Sequence, residues 1–177
     1  IAVIKSTIVP GTTETLQEAF PEIFIFHSPE FLVEATAAHD AAYPNRNIIG
    51  TPKDGAIFRE KAELILSILP EAPYKTIMRA RDAEFVKYAG NCFLFTKVMY
   101  MNMLYDLVNA MHGDWELIKE AIGNDPRIGM SHLEPVHKGG RGAGGHCFIK
   151  DFEAWLQSYA AMVGDQKGIA ALVALRD

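Results

Sequence analysis

The stretch Arg81–His112, RDAEFVKYAGNCFLFTKVMYMNMLYDLVNAMH, decides the fold. Only the isolated Gly90 weakens a helical reading of it. A helix of that length would run about 48 Å. Its middle is apolar on every side: eleven of the fourteen residues from Cys92 to Tyr105 are hydrophobic. A helix without a polar face needs partners all round. In a chain of 177 residues this predicts a two-fold subunit interface over residues 81–112 as the missing cover.

The same helix marks a border. Before it, short apolar runs alternate with amphipathic ones. Ile1–Lys5 reads as a buried strand, and Thr12 or Thr13 as the cap of a helix through TTETLQEAF. Ile23–Phe26 is a second strand. SPEFLVEATAAHDA reads as a helix capped by Ser28, with Pro29 at its first position. Asn47–Gly50 is a third strand, KDGAIFREKAELILSIL a helix, and YKTIM a fourth strand. Such alternation predicts βαβ units and a mainly parallel sheet. After it come DWELIKEAI, a helix capped by Asp114, then a loop rich in glycine and proline. Two more helices follow, from about Cys147 to Val163 and from about Asp165 to the end. The chain opens on a strand already under way, IAVIKST, which reads as the edge of a larger protein.

Bulk composition narrows the function. The net charge of −5 and the lack of a Lys/Arg cluster argue against nucleic acid. Two cysteines make no disulfide framework and fit a reducing compartment. The apolar run 92–105 is too short and too interrupted to span a bilayer. The expected location is the cytoplasm.

Three polar pairs share an i,i+4 spacing on expected helices: Glu30/Glu34, Lys87/Asn91 and Cys147/Asp151. Cys147 is the strongest candidate nucleophile. The glycines before it let backbone approach a ligand closely, and a helix start with Lys150 beside it favours thiolate. Cys92, among Phe and Met in mid-helix, reads as core instead. Lys87 borders the apolar segment, where an amine could donate to an oxyanion or simply snorkel. Glu30 and Glu34 read as a base or water-holding pair, or as a solvated helix face. Thr7 closes the first strand, where open α/β sheets bind ligands. GRGAGG lacks the strand that a nucleotide-binding glycine loop needs. His132, His137 and His146 fit no zinc spacing, so no metal is expected.

VIKSTIVPGTT, SPEFLVEATA, AEFVKYAGNCFLFTKV, NDPRIG and GRGAGGHCFIKD occur in the order found in the UDP-glucose/GDP-mannose dehydrogenases, and the chain resembles that family over nearly its whole length. The resemblance implies an α/β piece with a partial parallel Rossmann-like sheet over residues 1–79. An all-α dimerisation domain with one long central helix would follow over 80–177. The family's N-terminal glycine fingerprint and its C-terminal domain would lie outside the chain. The implied activity is NAD-dependent oxidation of a sugar-nucleotide C6 alcohol to a uronic acid in two steps, and NAD is the implied cofactor. By resemblance Cys147 is the nucleophile, and Lys87 and Asn91 stabilise charge on oxygen. Asp151 orders a water or base near the thiol. Glu34 and Thr7 serve a water-linked acid/base step. Glu30, Phe31, Leu32, Arg141 and Gly144 would face substrate, and Thr7, Glu34 and Lys150 the cofactor. Two positions depart from the family: Ile149 stands where proline is usual, and His146 where a small residue is common. GGHC is similar to the GDP-mannose and N-acetyl-mannosamine branches and KD to the UDP-glucose branch, so the substrate is left as a UDP- or GDP-sugar. Two other readings are a non-catalytic dimerisation module of this family and a related β-hydroxyacid dehydrogenase, which shares the Lys–xxx–Asn pair.

Overall fold

The computed structural model describes residues 1–137, 140–143 and 146–177, and leaves undescribed the side chains of Glu34, His137, His146 and Cys147. The chain divides into two compact units, Ile1–Ala89 and Gly90–Asp177.

The first unit is a four-stranded sheet with helices. Its strands are β1 (Ala2–Ile4), β2 (Ile25–His27), β3 (Arg46–Thr51) and β4 (Tyr74–Arg79), in that spatial order. β1 and β2 are parallel, as are β3 and β4; the single pair His27–Gly50 joins the two halves antiparallel. Helices α1 (Thr12–Ala19), α2 (Ala37–Ala42) and α3 (Ala56–Ile68) connect the strands. Apolar residues of β2, β3 and α3 meet in one core: Phe26, Ile49, Ala62 and Ile65. The buried Gln17 closes the α1–β2 turn. Its amide donates to the Phe20 and Ile23 carbonyls, and its oxygen accepts the Ile25 N–H at 3.0 Å.

Two expectations are corrected here. Ser28 and Pro29 do not start a helix. The chain has no regular secondary structure from Ser28 to Val33, and a 3₁₀ turn (Glu34–Thr36) leads into α2. The reason is tertiary: the Ser28 N–H donates to the Ile4 carbonyl at 2.8 Å and its hydroxyl accepts from Lys5 at 3.2 Å, prolonging the β1–β2 pairing. Glu30 and Glu34 therefore do not share one helix face. Nor is α1 capped by Thr12 or Thr13. Its N-cap is Gly11, with φ +97° and no side chain to offer.

That cap comes from a distance. The carboxylate of Glu84, fully buried, accepts the Gly11 N–H (2.5 Å), the Thr13 N–H (3.0 Å) and the Thr13 hydroxyl (2.5 Å). A negative charge at a helix N-terminus suits the helix dipole. Glu84→Ala is expected to lower the stability of this unit by about 2–4 kcal/mol, because it strands buried donors. Urea unfolding of the two chains checks this; a loss below the scatter of surface substitutions would contradict it.

Glu84 lies on α4 (Ala80–Ala110), the long helix expected from the sequence. Gly50 of β3 packs on its first turn: a Cβ at Gly50 would stand 2.7 Å from the Ala80 Cα and 3.0 Å from the Ala83 Cβ.

The second unit holds the rest of α4, then α5 (Trp115–Gly123), the ribbon β5 (Val136–His137) and β6 (Gly140–Arg141), α6 (His146–Met162) and α7 (Gln166–Arg176). Asp114 caps α5 by accepting the Leu117 N–H, and Asp165 caps α7 by accepting from Lys167 and Gly168. The antiparallel β5–β6 ribbon was not expected within the glycine-rich loop. One side of α4 is buried. Met101 and Val108 pack with Trp115 and Leu133, and Cys92 and Phe95 pack with Phe152 of α6. Phe95 and Phe152 stack at 4.2 Å. Phe93, Tyr100, Met103 and Leu107 of the same helix, and Met111 just after it, are each more than half exposed. The helix is thus not covered all round within its own unit. No helix among the described residues is long and apolar enough to cross a membrane.

Candidate active site

In the first unit the candidate residues gather where β1 and β2 end. Thr7 is half-buried in the loop after β1. Lys5 lies 3.8 Å from Glu30 and donates to Ser28, so Glu30 is held by a cation rather than by helical geometry. Two cations lie over the ring of Phe31. The Arg46 guanidinium carbon is 3.7 Å from its ring centre, and the Lys87 ammonium nitrogen is 5.6 Å from it. Lys87 is half-buried and Leu32 exposed. Arg46, which sequence reasoning did not single out, thus touches an expected substrate residue. A cavity of about 180 Å³ opens here, lined by Lys5, Glu30, Phe31, Tyr43, Asn45 and Arg46 among others. His27, fully buried beside β1, has its imidazole pushed down to about 4 by burial, with the charge of Lys5 acting in the same sense.

In the second unit Asn91 of α4 and Asp151 of α6 come together. The Asn91 amide donates to Asp151 Oδ2 at 2.5 Å, and the Asp151 side chain is fully buried. The Lys150 ammonium, largely exposed, stands 3.7 Å from Asp151 Oδ1. Removing one partner from such a buried charged bond is costly, so the pair holds α6 against α4. Cys147 lies in the first turn of α6, one turn before Asp151. The side chains of Cys147 and Glu34 lie outside the description, and Gly144 lies outside the described residues.

Cys92 is a core residue. It is buried against Phe95 and Phe152, and burial followed by the Asp151 charge pushes its thiol up to about 12. It has no nucleophilic form near neutral pH. Arg141 is spoken for within its own unit, bonded to Asn102 and Asp106 and set over the Tyr105 ring. Lys97, its pKa lowered by burial, donates to the carbonyls of Ile128, Gly129 and Ser131 and so ties the DPRIG loop to α4. Among the described residues no three His, Cys, Asp or Glu side chains group as metal ligands.

The candidate residues of the first unit thus lie at the ends of strands in a mainly parallel sheet, where open α/β sheets bind ligands. Residues 81–174 match the central domain of the UDP-glucose/GDP-mannose dehydrogenase family, and residues 1–66 match that family's NAD binding domain. The chain belongs to this family. UDP-glucose 6-dehydrogenase of Pseudomonas aeruginosa is 34% identical over 168 residues, which cover 89% of this chain and 36% of that protein. UDP-glucose 6-dehydrogenase AglM of Haloferax volcanii is 31% identical over 100% of this chain and 43% of its own length. The solved structure of a UDP-glucose dehydrogenase from Pyrobaculum islandicum superposes with a TM-score of 0.79 at 33% identity, covering 98% of this chain and 40% of that one. The chain thus spans 36 to 43% of the length of these relatives.

The cofactor of the matched domain is NAD. The donors at the end of β1, the Lys5 ammonium and the Thr7 hydroxyl, are of the kind that hydroxyl and carboxamide groups of a dinucleotide accept from. The residues present fit part of such a ligand.

Proposed function

We propose that this chain is the part of a cytoplasmic sugar-nucleotide 6-dehydrogenase that carries the nucleophile and its partners. Its substrate would be a UDP- or GDP-sugar, and its product a uronic acid of the kind used in polysaccharides. The observation that carries this reading is the bond from half-buried Asn91 to buried Asp151, with Cys147 one turn away on α6.

The steps follow from the residues. Bound NAD supplies the hydride-accepting ring in both oxidations, with Thr7, Glu34 and Lys150 on its side. The C6 alcohol gives up a hydride and a proton and becomes an aldehyde, with a water held by Glu34 taking the proton. The Cys147 thiolate adds to the aldehyde carbon, and the resulting oxyanion is met by Lys87 and Asn91. Loss of the second hydride from that carbon leaves a thioester on Cys147. Water ordered by Asp151 attacks it, releasing the acid and the thiol. Glu30, Phe31, Leu32 and Gly144 face the sugar nucleotide. The test is product analysis of a full-length family enzyme carrying this sequence, since the chain alone is expected to be inactive, with UDP-glucose, a UDP-N-acetylhexosamine and GDP-mannose, each with NAD. Two hydrides transferred for each acid formed with one of them supports the reading; reduction of NAD that stops at one, or none with all three, rejects it.

The exposed stripe Phe93, Tyr100, Met103, Leu107 and Met111 supports a homodimer through α4. Replacing Tyr100 and Leu107 by Glu is expected to give monomers in light scattering at micromolar concentration. A parent chain that is already a folded monomer there would contradict the dimer.

A further inference from the structure

Asn102 is a polar residue inside the most apolar part of α4, and it is nearly buried. Its side chain faces two ways. The amide nitrogen donates to the Val98 carbonyl of its own helix at 2.9 Å. The oxygen, Oδ1, accepts from outside the helix: the Arg141 Nε at 3.2 Å and the Gly142 N–H at 3.3 Å. Arg141 adds bonds from Nη2 to the Asn102 carbonyl at 3.3 Å and to Asp106 at 2.9 Å. One oxygen on α4 therefore gathers two consecutive residues of the glycine segment that leads into α6.

Asn102 stands eleven residues after Asn91. Eleven residues are three helical turns to within about 20°, so the two asparagines share one stripe of α4, about 16 Å apart. Asn91 holds Asp151, one turn after Cys147, and Asn102 holds Gly142, five residues before it. One helix, α4, thus holds a residue on either side of Cys147 in sequence, Gly142 before it and Asp151 after it.

We propose that Asn102, through its Oδ1, is a positioning residue for Cys147. It fixes the approach to α6, and Arg141 completes the clamp rather than serving the substrate. The inference rests on the reading of Cys147 as the nucleophile. A segment released from Asn102 lets the first turn of α6 fray and removes the helix-terminus contribution to a thiolate there.

The test is alkylation of the 177-residue chain by iodoacetamide at pH 7, with the rate at each cysteine read by mass spectrometry. Cys92 is the internal control, since it is buried and reacts only if the unit opens. Asn102→Leu is expected to slow Cys147 by about three- to fivefold, the size of one helix-terminus interaction, with Cys92 still protected. Asn102→Asp keeps the Oδ1 acceptor, gives up only the bond to the Val98 carbonyl within α4, and is expected to react at the parent rate. Arg141→Met, at a partly exposed site, is expected to slow Cys147 in the same direction, and it stands in if Asn102→Leu does not fold. Rates at Cys147 that are unchanged or raised in the folded variants overturn the inference. So does a slow Asn102→Asp chain. A parent Cys147 as inert as Cys92 overturns the nucleophile reading itself, and this inference with it.

Discussion

Cys147→Ser, placed in a full-length family enzyme carrying this sequence, will end acid formation while sugar-nucleotide binding persists. A serine hydroxyl is almost wholly un-ionised near neutral pH, whereas even an unperturbed thiol is a few per cent thiolate there. In the proposed route the hemithioacetal is what makes the second hydride transfer possible, and a hydroxyl does not form its counterpart at a useful rate. The loss in acid production is expected to be on the order of 1000-fold or more, as for removal of other attacking groups. The first oxidation needs no covalent bond, so the aldehyde should still form and stay bound. Chromatography of products after a fixed time reads both. Uronic acid at the parent rate would remove Cys147 from the chemistry.

Lys87→Ala will slow hydride transfer far more than it weakens substrate binding. An ammonium that meets an oxyanion acts mostly in the transition state, so its loss falls on the chemical steps. Removal of one such donor costs about 3–4 kcal/mol, on the order of 100- to 1000-fold in rate. The ammonium also stands 5.6 Å from the Phe31 ring, a contact of about 0.5–1 kcal/mol at a partly exposed site. The two contributions separate in a single-turnover experiment at saturating substrate. A drop of the rate constant by two orders of magnitude with a nearly unchanged substrate affinity is the expected result. An unchanged rate constant would make Lys87 a packing residue of α4.

Much of this architecture could be read from the residues. Uninterrupted helix formers predicted α4 almost to its ends, and Asp114 and Asp165 announced α5 and α7 because cap chemistry is local. The stretch Ser28–Val33 misled, because Ser-Pro before an amphipathic run is a good helix start in isolation. Its backbone is instead drawn along β1 by bonds to Ile4 and Lys5, which lie more than twenty residues away. Glu84 and Asn102 escaped for the same reason: each acts on a partner distant in sequence. Both had left a trace. Gly11 before Thr12 offers no side chain, so the cap of α1 had to come from elsewhere. Asn102 repeats Asn91 at three helical turns within an otherwise apolar run. The motifs identified the family; the long-range bonds that hold them in place are not written in any local pattern.

Gly50 has a bearing on how screens of this family should be interpreted. The missing side chain there lets the third strand lie directly on the first turn of α4, with no space for even a methyl group. That helix goes on to carry Lys87 two turns later. A library of random substitutions scored only by activity would therefore flag position 50 as strongly as the proposed reacting residues, although its role is packing. Sorting such hits needs a second axis, the amount of folded protein, on which position 50 separates from the chemical groups.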